Sequence, residues 1–216
     1  MDLPDTRVAE SPGSARERAA ADRRDAILEA AKAVFLEEGY ELASMDRIAE
    51  RAGTTKRTVY DRMGPKEALF DAVVERVCSN VVRELPGPED LPPDPRVGLA
   101  AAAARTIGYM ISPSCVGLIR LVGAEAERRP RAVATLRGAF ATGETKFRAY
   151  LDACVVAGTL KSHDTAFTAR LFCDVVSHAA SNRALLGEDP TDEASRRTVA
   201  AVVELLLDRW GVAGEG

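Results

Sequence analysis

The stretch GTTKRTVYDRMGPKEALF, Gly53 to Phe70, is out of keeping with the chain that carries it. Between Arg47 and Lys66 stand six basic residues (Arg47, Arg51, Lys56, Arg57, Arg62, Lys66) and two acidic ones (Glu50, Asp61), a local charge of +4 in a protein of formal net charge −4. Thr54 and Thr55 offer an N-cap for a short helix from Lys56 to Arg62, with Val59 and Met63 facing inward. Gly64-Pro65 ends that helix and opens the next. Pro65 is expected at the first helical position, where its missing N–H costs nothing.

Reading outward, the same logic repeats. Ser44 can cap a helix with Met45, Ile48, Ala49 and Ala52 on its inner face, and Gly53 stops it. Before it, Ile27, Ala30, Ala31, Val34 and Phe35 fall at helical spacing, between an Asp22 cap and a left-handed Gly39. After it, Glu67 suits the positive end of a fourth helix, whose buried stripe is Ala68, Leu69, Val73, Val74 and Val77. Leu85–Pro95 holds five prolines and reads as a linker. Beyond it, helices are expected over Val97–Ser112, Ser114–Arg129, Arg131–Ala157, Thr165–Leu186 and Glu193–Trp210, with Gly138 and Gly143 as points of interruption in the third. No strand pattern and no repeat is visible. The expectation is an all-α protein with a disordered tail (1–20), a three-helix helix-turn-helix domain (21–70) and a larger helical regulatory and dimerisation domain (71–216).

Composition narrows the function. No apolar stretch reaches the ~18–20 residues of a membrane span, and the first residues lack an apolar core, so no membrane partner and a cytoplasmic location are expected. Cys78, Cys115, Cys154 and Cys173 are widely spaced, with no C-x-x-C and no clustered histidine. No disulfide framework, metal or other cofactor is expected; buried thiols or a redox pair remain. The chain has no G-x-S-x-G elbow, no phosphate-binding glycine loop and no metal spacing, so an enzyme is disfavoured and no catalytic residue is named.

Two short helices joined by a glycine turn, after a supporting helix, make a helix-turn-helix. Its second helix enters the DNA major groove with its N-terminal residues toward the base edges. That accounts for the quoted composition. Thr55 opens a helix start toward an anion; Lys56, Arg57 and Thr58 can donate to bases or phosphates; Tyr60 offers a hydroxyl on a rigid ring. Lys66, at the next helix start, suits a phosphate. Acidic charge elsewhere limits nonspecific attraction.

Residues 23–70, with ILEAAKAVFLEEGYE, SMDRIAERAGTTKRTVY and GPKEALF at fixed spacing, resemble the N-terminal domain of TetR-family transcriptional regulators. The resemblance implies DNA contacts at Ser44, Thr55, Lys56, Arg57, Thr58, Tyr60, Arg62 and Lys66. The family often has an aromatic residue or His where Asp61 stands, and Phe where Met63 stands. LIRLVGAEAERRP and GTLKSHDTAFTARLFCDVV resemble AefR-like C-terminal domains. That implies a homodimer paired through its last two helices, on a pseudo-palindromic operator, released by a small apolar or amphipathic effector. The apolar excess of the final helix agrees, and Leu171, Val175, Val176, Val199, Val202, Val203 and Leu206 are the expected interface. Arg105, Tyr109, Cys115, Arg120, Phe172 and His178 are the candidate effector contacts, with surface or helix–helix roles equally open to Arg105, Tyr109 and Arg120. Arg16, Arg18, Arg23 and Arg24 have two readings, a minor-groove arm or a solvated run diluted by Glu17, Asp22 and Asp25. An activator or architectural DNA-binding protein without an effector stays open beside the repressor.

Overall fold

The computed structural model describes residues 12–212, with side chains from Arg18 onward. The described chain divides into two compact units, which meet in sequence at Val73 and Val74.

The first unit holds α1 (Pro12–Leu42), α2 (Met45–Arg51), α3 (Lys56–Met63) and the opening turns of α4 (Lys66–Glu84). Its core is the predicted stripe: Ile27, Ala31, Val34 and Phe35 from α1 meet Ile48, Val59, Leu69 and Phe70, all buried. Three rings lock the corner, Phe35 against Phe70 at 5.4 Å and Tyr40 against Phe70 at 5.1 Å, both edge-on. Edge-to-face pairing adds to area burial and fixes the angle between elements.

Three expectations fail here. Helix α1 is already formed at Pro12, ten residues before the Asp22 cap. The segment from 12 to 20 is therefore helical, while residues 1–11 of the expected disordered tail lie outside the described residues. Its Ala/Arg/Glu composition has high helix propensity without an apolar stripe. In α4, Ala68 is exposed and Phe70 takes its place in the core. Helix α4 starts at Lys66 rather than Pro65, whose carbonyl accepts the first bond, from the Leu69 amide at 3.1 Å.

The second unit contains the rest of α4, a single 3-10 turn in the proline-rich segment (Pro88–Asp90), α5 (Pro95–Met110), α6 (Pro113–Ala124), α7 (Pro130–Val156), α8 (Thr165–Cys173), α9 (Ala179–Leu185) and α10 (Glu193–Trp210). Asp94, Ser112, Asp164 and Asp192 cap α5, α6, α8 and α10 with their side chains. Between α8 and α9 the helix continues as a π turn, Asp174–His178. Neither Gly138 nor Gly143 breaks α7; a lone glycine costs a helix only about 1 kcal/mol. At Gly98 a Cβ would stand 1.8 Å from Tyr150 Oη, so only glycine lets that hydroxyl reach the Pro92 carbonyl at 3.1 Å and hold the proline-rich segment to α7.

The expected interface residues divide. Val176, Val203 and Leu206 are buried in the core of the second unit, with Phe147, Leu151 and Phe172, and Val199 and Val202 pack against that core. An apolar helix can be apolar because it closes its own domain, and α10 does that on one side. Leu171, with Phe167 one turn earlier on α8, remains exposed, at 40% and 60%. Leu205 on α10 is 67% exposed.

Candidate nucleic-acid interface

Helices α2 and α3 are set by two hydroxyl caps. Ser44 Oγ accepts from the Arg47 amide and Thr55 Oγ1 from the Thr58 amide, each at 3.2 Å. Between them Gly53, at φ 62°, takes the left-handed position that turns the chain and is disfavoured for other residues. Val59 and Met63 anchor α3 from beneath, and Arg24 donates to Met63 Sδ at 3.3 Å. The opposite face presents Lys56, Arg57, Tyr60 and Arg62 to solvent, with Thr58 half-buried. Tyr60 is 44% exposed.

The structure also shows where the local +4 goes. Arg47 meets Glu38 at 2.9 Å, Arg51 meets Glu37 at 2.6 Å, Lys56 meets Asp46 at 2.8 Å and Arg57 lies 3.7 Å from Asp61. The Arg51 hydrogen bond holds Glu37 below the usual carboxylate range, and the bond to Asp46 raises Lys56. Exposed pairs of this kind are screened by solvent, hold weakly and exchange readily for another anion. Lys66 is held differently. Its Nζ donates to the carbonyls of Ala43 (2.8 Å) and Glu41 (3.2 Å) and lies 4.4 Å from the Tyr40 ring centre. Two of its three protons are engaged by the end of α1. Arg62 reaches the Ala20 carbonyl at 3.4 Å. Arg18, Arg23 and Arg24 sit on helix α1 rather than on an extended arm, and the Arg16 side chain lies outside the described residues.

In the second unit a cavity of about 90 Å³ opens among α4, α5, α7 and the π turn. Phe172 and His178 line it. Arg105, Tyr109, Cys115 and Arg120 do not. Arg105 is exposed, Arg120 is tied to the Leu185 carbonyl at 3.0 Å, Cys115 is buried among helices with its thiol pushed up to about 11 by that burial, and burial likewise raises the Tyr109 phenol. Arg105 and Tyr109 stand on α5, a cavity helix, but on another face of it, while Cys115 and Arg120 stand on α6, which gives the cavity no lining residue. The liners that sequence reasoning missed include Phe140 and Glu144, because α7 carries no pattern distinguishing its cavity side. All four cysteines are free.

Two family models cover the chain in succession. Residues 27–73 match the bacterial regulatory proteins of the tetR family, and residues 97–212 match the AefR-like transcriptional repressor C-terminal domain. The chain belongs to the TetR family. It is a DNA-binding transcriptional regulator, with the all-α fold of that family. Its family and fold are those of regulators and not of enzymes. Among solved structures, a TetR-family regulator from Mesorhizobium loti is 25% identical, with a TM-score of 0.77 over 89% of this chain and 98% of that one. The flavonoid-responsive regulator FrrA is also 25% identical, with a TM-score of 0.71 over 90% and 100%. The HTH-type transcriptional activator FasR of Mycolicibacterium smegmatis is 43% identical over 61 residues, 28% of either chain. The match to FasR thus spans little more than a quarter of that relative's length.

Proposed function

We propose that this TetR-family regulator acts as a homodimeric repressor, which binds a pseudo-palindromic operator and leaves it when a small molecule occupies the cavity of the second unit. The observation that supports this reading best is the solvent face of α3: a capped helix over an apolar floor, with Arg57 and Tyr60 pointing outward and every cation but Lys66 in a weak surface contact. In this reading Arg57 and Tyr60 address base edges, with Thr58 beside them. Ser44, Thr55, Lys56, Arg62 and the remaining proton of Lys66 address phosphates and fix the register. Two copies of α3 would enter successive major grooves about 34–36 Å apart.

Control follows from linkage. An effector lowers DNA affinity only by its preference for the released state. Helix α4 belongs to both units, and its last turns, with Val81, wall the cavity, so α4 is the element on which occupancy would act. Activation is the second reading. The likeness to an activator covers 61 residues, 28% of this chain, and so carries no sign of control for the whole.

The test is a set of titrations on operator and scrambled duplexes, with a reporter carrying the operator across its promoter. Deletion of the regulator is expected to raise reporter output. A fall in output makes the protein an activator, and equal affinity for both duplexes removes the reading head from α3.

A further inference from the structure

The cavity wall mixes apolar and acidic groups. Phe147 and Phe172 stack at 4.3 Å, and Phe140, Val81 and Met110 add to the apolar surface. Glu144, at helical spacing from Phe140 and Phe147 on α7, and Asp174 bring two carboxylates to the same wall, and among the described residues no Lys or Arg lines the space. Asp174 is already occupied, 3.8 Å from Arg170 and 3.3 Å from His178 Nδ1. Glu144 is not. It is half-buried, accepts no hydrogen bond and pairs with no cation among the described residues. Its negative charge is felt inside the cavity, since it adds to the burial that pushes the neighbouring Cys173 thiol up to about 12.

A half-buried carboxylate is only partly hydrated, and a cation placed beside it against an apolar wall pairs with it more strongly than in open water. Aromatic faces nearby attract the same sign of charge. We infer that the cavity takes a small amphipathic cation, an aromatic or short aliphatic amine, whose nitrogen pairs with Glu144 and whose apolar body lies against Phe140, Phe147 and Phe172. This rests on the reading of the cavity as the effector site and adds the sign of the effector's charge. The cavity, at about 90 Å³, is smaller than the roughly 150 Å³ that accepts benzene elsewhere, so a single ring enters only partway and leaves its remainder at the open mouth; the first probes are therefore single-ring compounds of different charge.

Benzylamine, benzyl alcohol and benzoate, titrated into the full-length protein near neutral pH and followed by NMR, separate the possibilities. Benzylamine is expected to bind about tenfold more tightly than benzyl alcohol, and benzoate more weakly than either. In Glu144→Gln, which keeps the side-chain shape, the advantage of benzylamine disappears while benzyl alcohol binds as before. An unchanged melting temperature of that variant excludes a folding defect, and the wild-type series stands on its own if the variant fails to fold. Equal binding of benzylamine and benzyl alcohol, a preference for benzoate, or a preference for benzylamine that survives Glu144→Gln overturns the inference and leaves the cavity reading intact. Binding of none of the three overturns both.

Discussion

Lys146 of α7 donates its ammonium to the Leu85 carbonyl at 2.7 Å, and to that of Val82 at 2.9 Å. These are carbonyls that the end of α4 leaves without helical partners, and a cation is the favoured group beside them. One helix turn of α7 therefore both caps α4 and, through Glu144 and Phe147, walls the cavity. Lys146→Met is expected to destabilise the protein by about 1–3 kcal/mol, because two carbonyls lose their donor. It is also expected to shrink the change in DNA affinity that a cavity ligand produces. Chemical denaturation and operator titrations with and without ligand measure the two effects separately.

Lys66 and Tyr60 are expected to behave as opposites on DNA. Lys66→Ala removes a phosphate contact and lowers affinity for operator and scrambled duplex alike, shrinking the salt slope by about 0.9. It also releases the Ala43 and Glu41 carbonyls, so its melting temperature falls. Tyr60→Phe and Arg57→Ala are expected to cost about 1–3 kcal/mol on the operator and little on random sequence. Fluorescence anisotropy at several salt concentrations checks all three. If Lys66→Ala and Tyr60→Phe leave both affinities unchanged, α3 is not the reading head.

Asp61 lies near enough to Arg57 to brace it. Asp61→Asn then loosens Arg57 and lowers operator preference, whereas an unbraced Arg57 makes the same change tighten binding on every sequence. Paired titrations of Asp61→Asn on operator and scrambled DNA decide between the two, and an effect within about 1 kcal/mol is expected because the pair is exposed.

Leu171 and Leu206 test the proposed subunit interface from opposite sides. Leu171→Glu places charge on an exposed α8 face and is expected to give folded monomers by light scattering and circular dichroism. Leu206→Glu buries a charge in the core and is expected to unfold the second unit, a loss beyond about 4 kcal/mol. A folded dimer in Leu171→Glu points to another face.

The thiols of Cys78 and Cys115 are both pushed up to about 11, chiefly by burial. At pH 8 only about one in a thousand of each is then thiolate, against roughly a quarter for an ordinary cysteine. Iodoacetamide is expected to label them slowly in the folded protein and quickly in denaturant, with native labelling rising as pH approaches their shifted range. Fast native labelling at pH 8 would mean that this core opens.

Much of the helix-turn-helix was legible because hydroxyl caps, a glycine turn and a buried valine are local signals. The final helix was found to the residue, since Asp192 caps it and Gly211 ends it. What escaped was relational. An exposed Ala/Arg helix has no stripe, so the start of α1 was missed. The π turn at Asp174–His178 changes the angular position of everything after it without a sequence mark. Periodicity alone could not divide Leu171 from Leu206, because a residue that closes its own core and one that meets a second subunit carry the same apolar signature. Likewise, Glu37 and Glu38 looked like ordinary surface charge until folding set them against Arg51 and Arg47.

Those pairs, with Lys56 and Asp46, give the cations of α2 and α3 resident counterions in Glu37, Glu38 and Asp46. In the proposed reading a phosphate takes over Lys56, and Asp46 is then set free to gather sodium or potassium from solution while the DNA gives up its own condensed cations. The two exchanges run in opposite directions. The salt dependence of binding is therefore expected to be shallower than the number of phosphate contacts implies, so that the regulator's grip on DNA would vary less with ionic strength than that of a bare cationic helix.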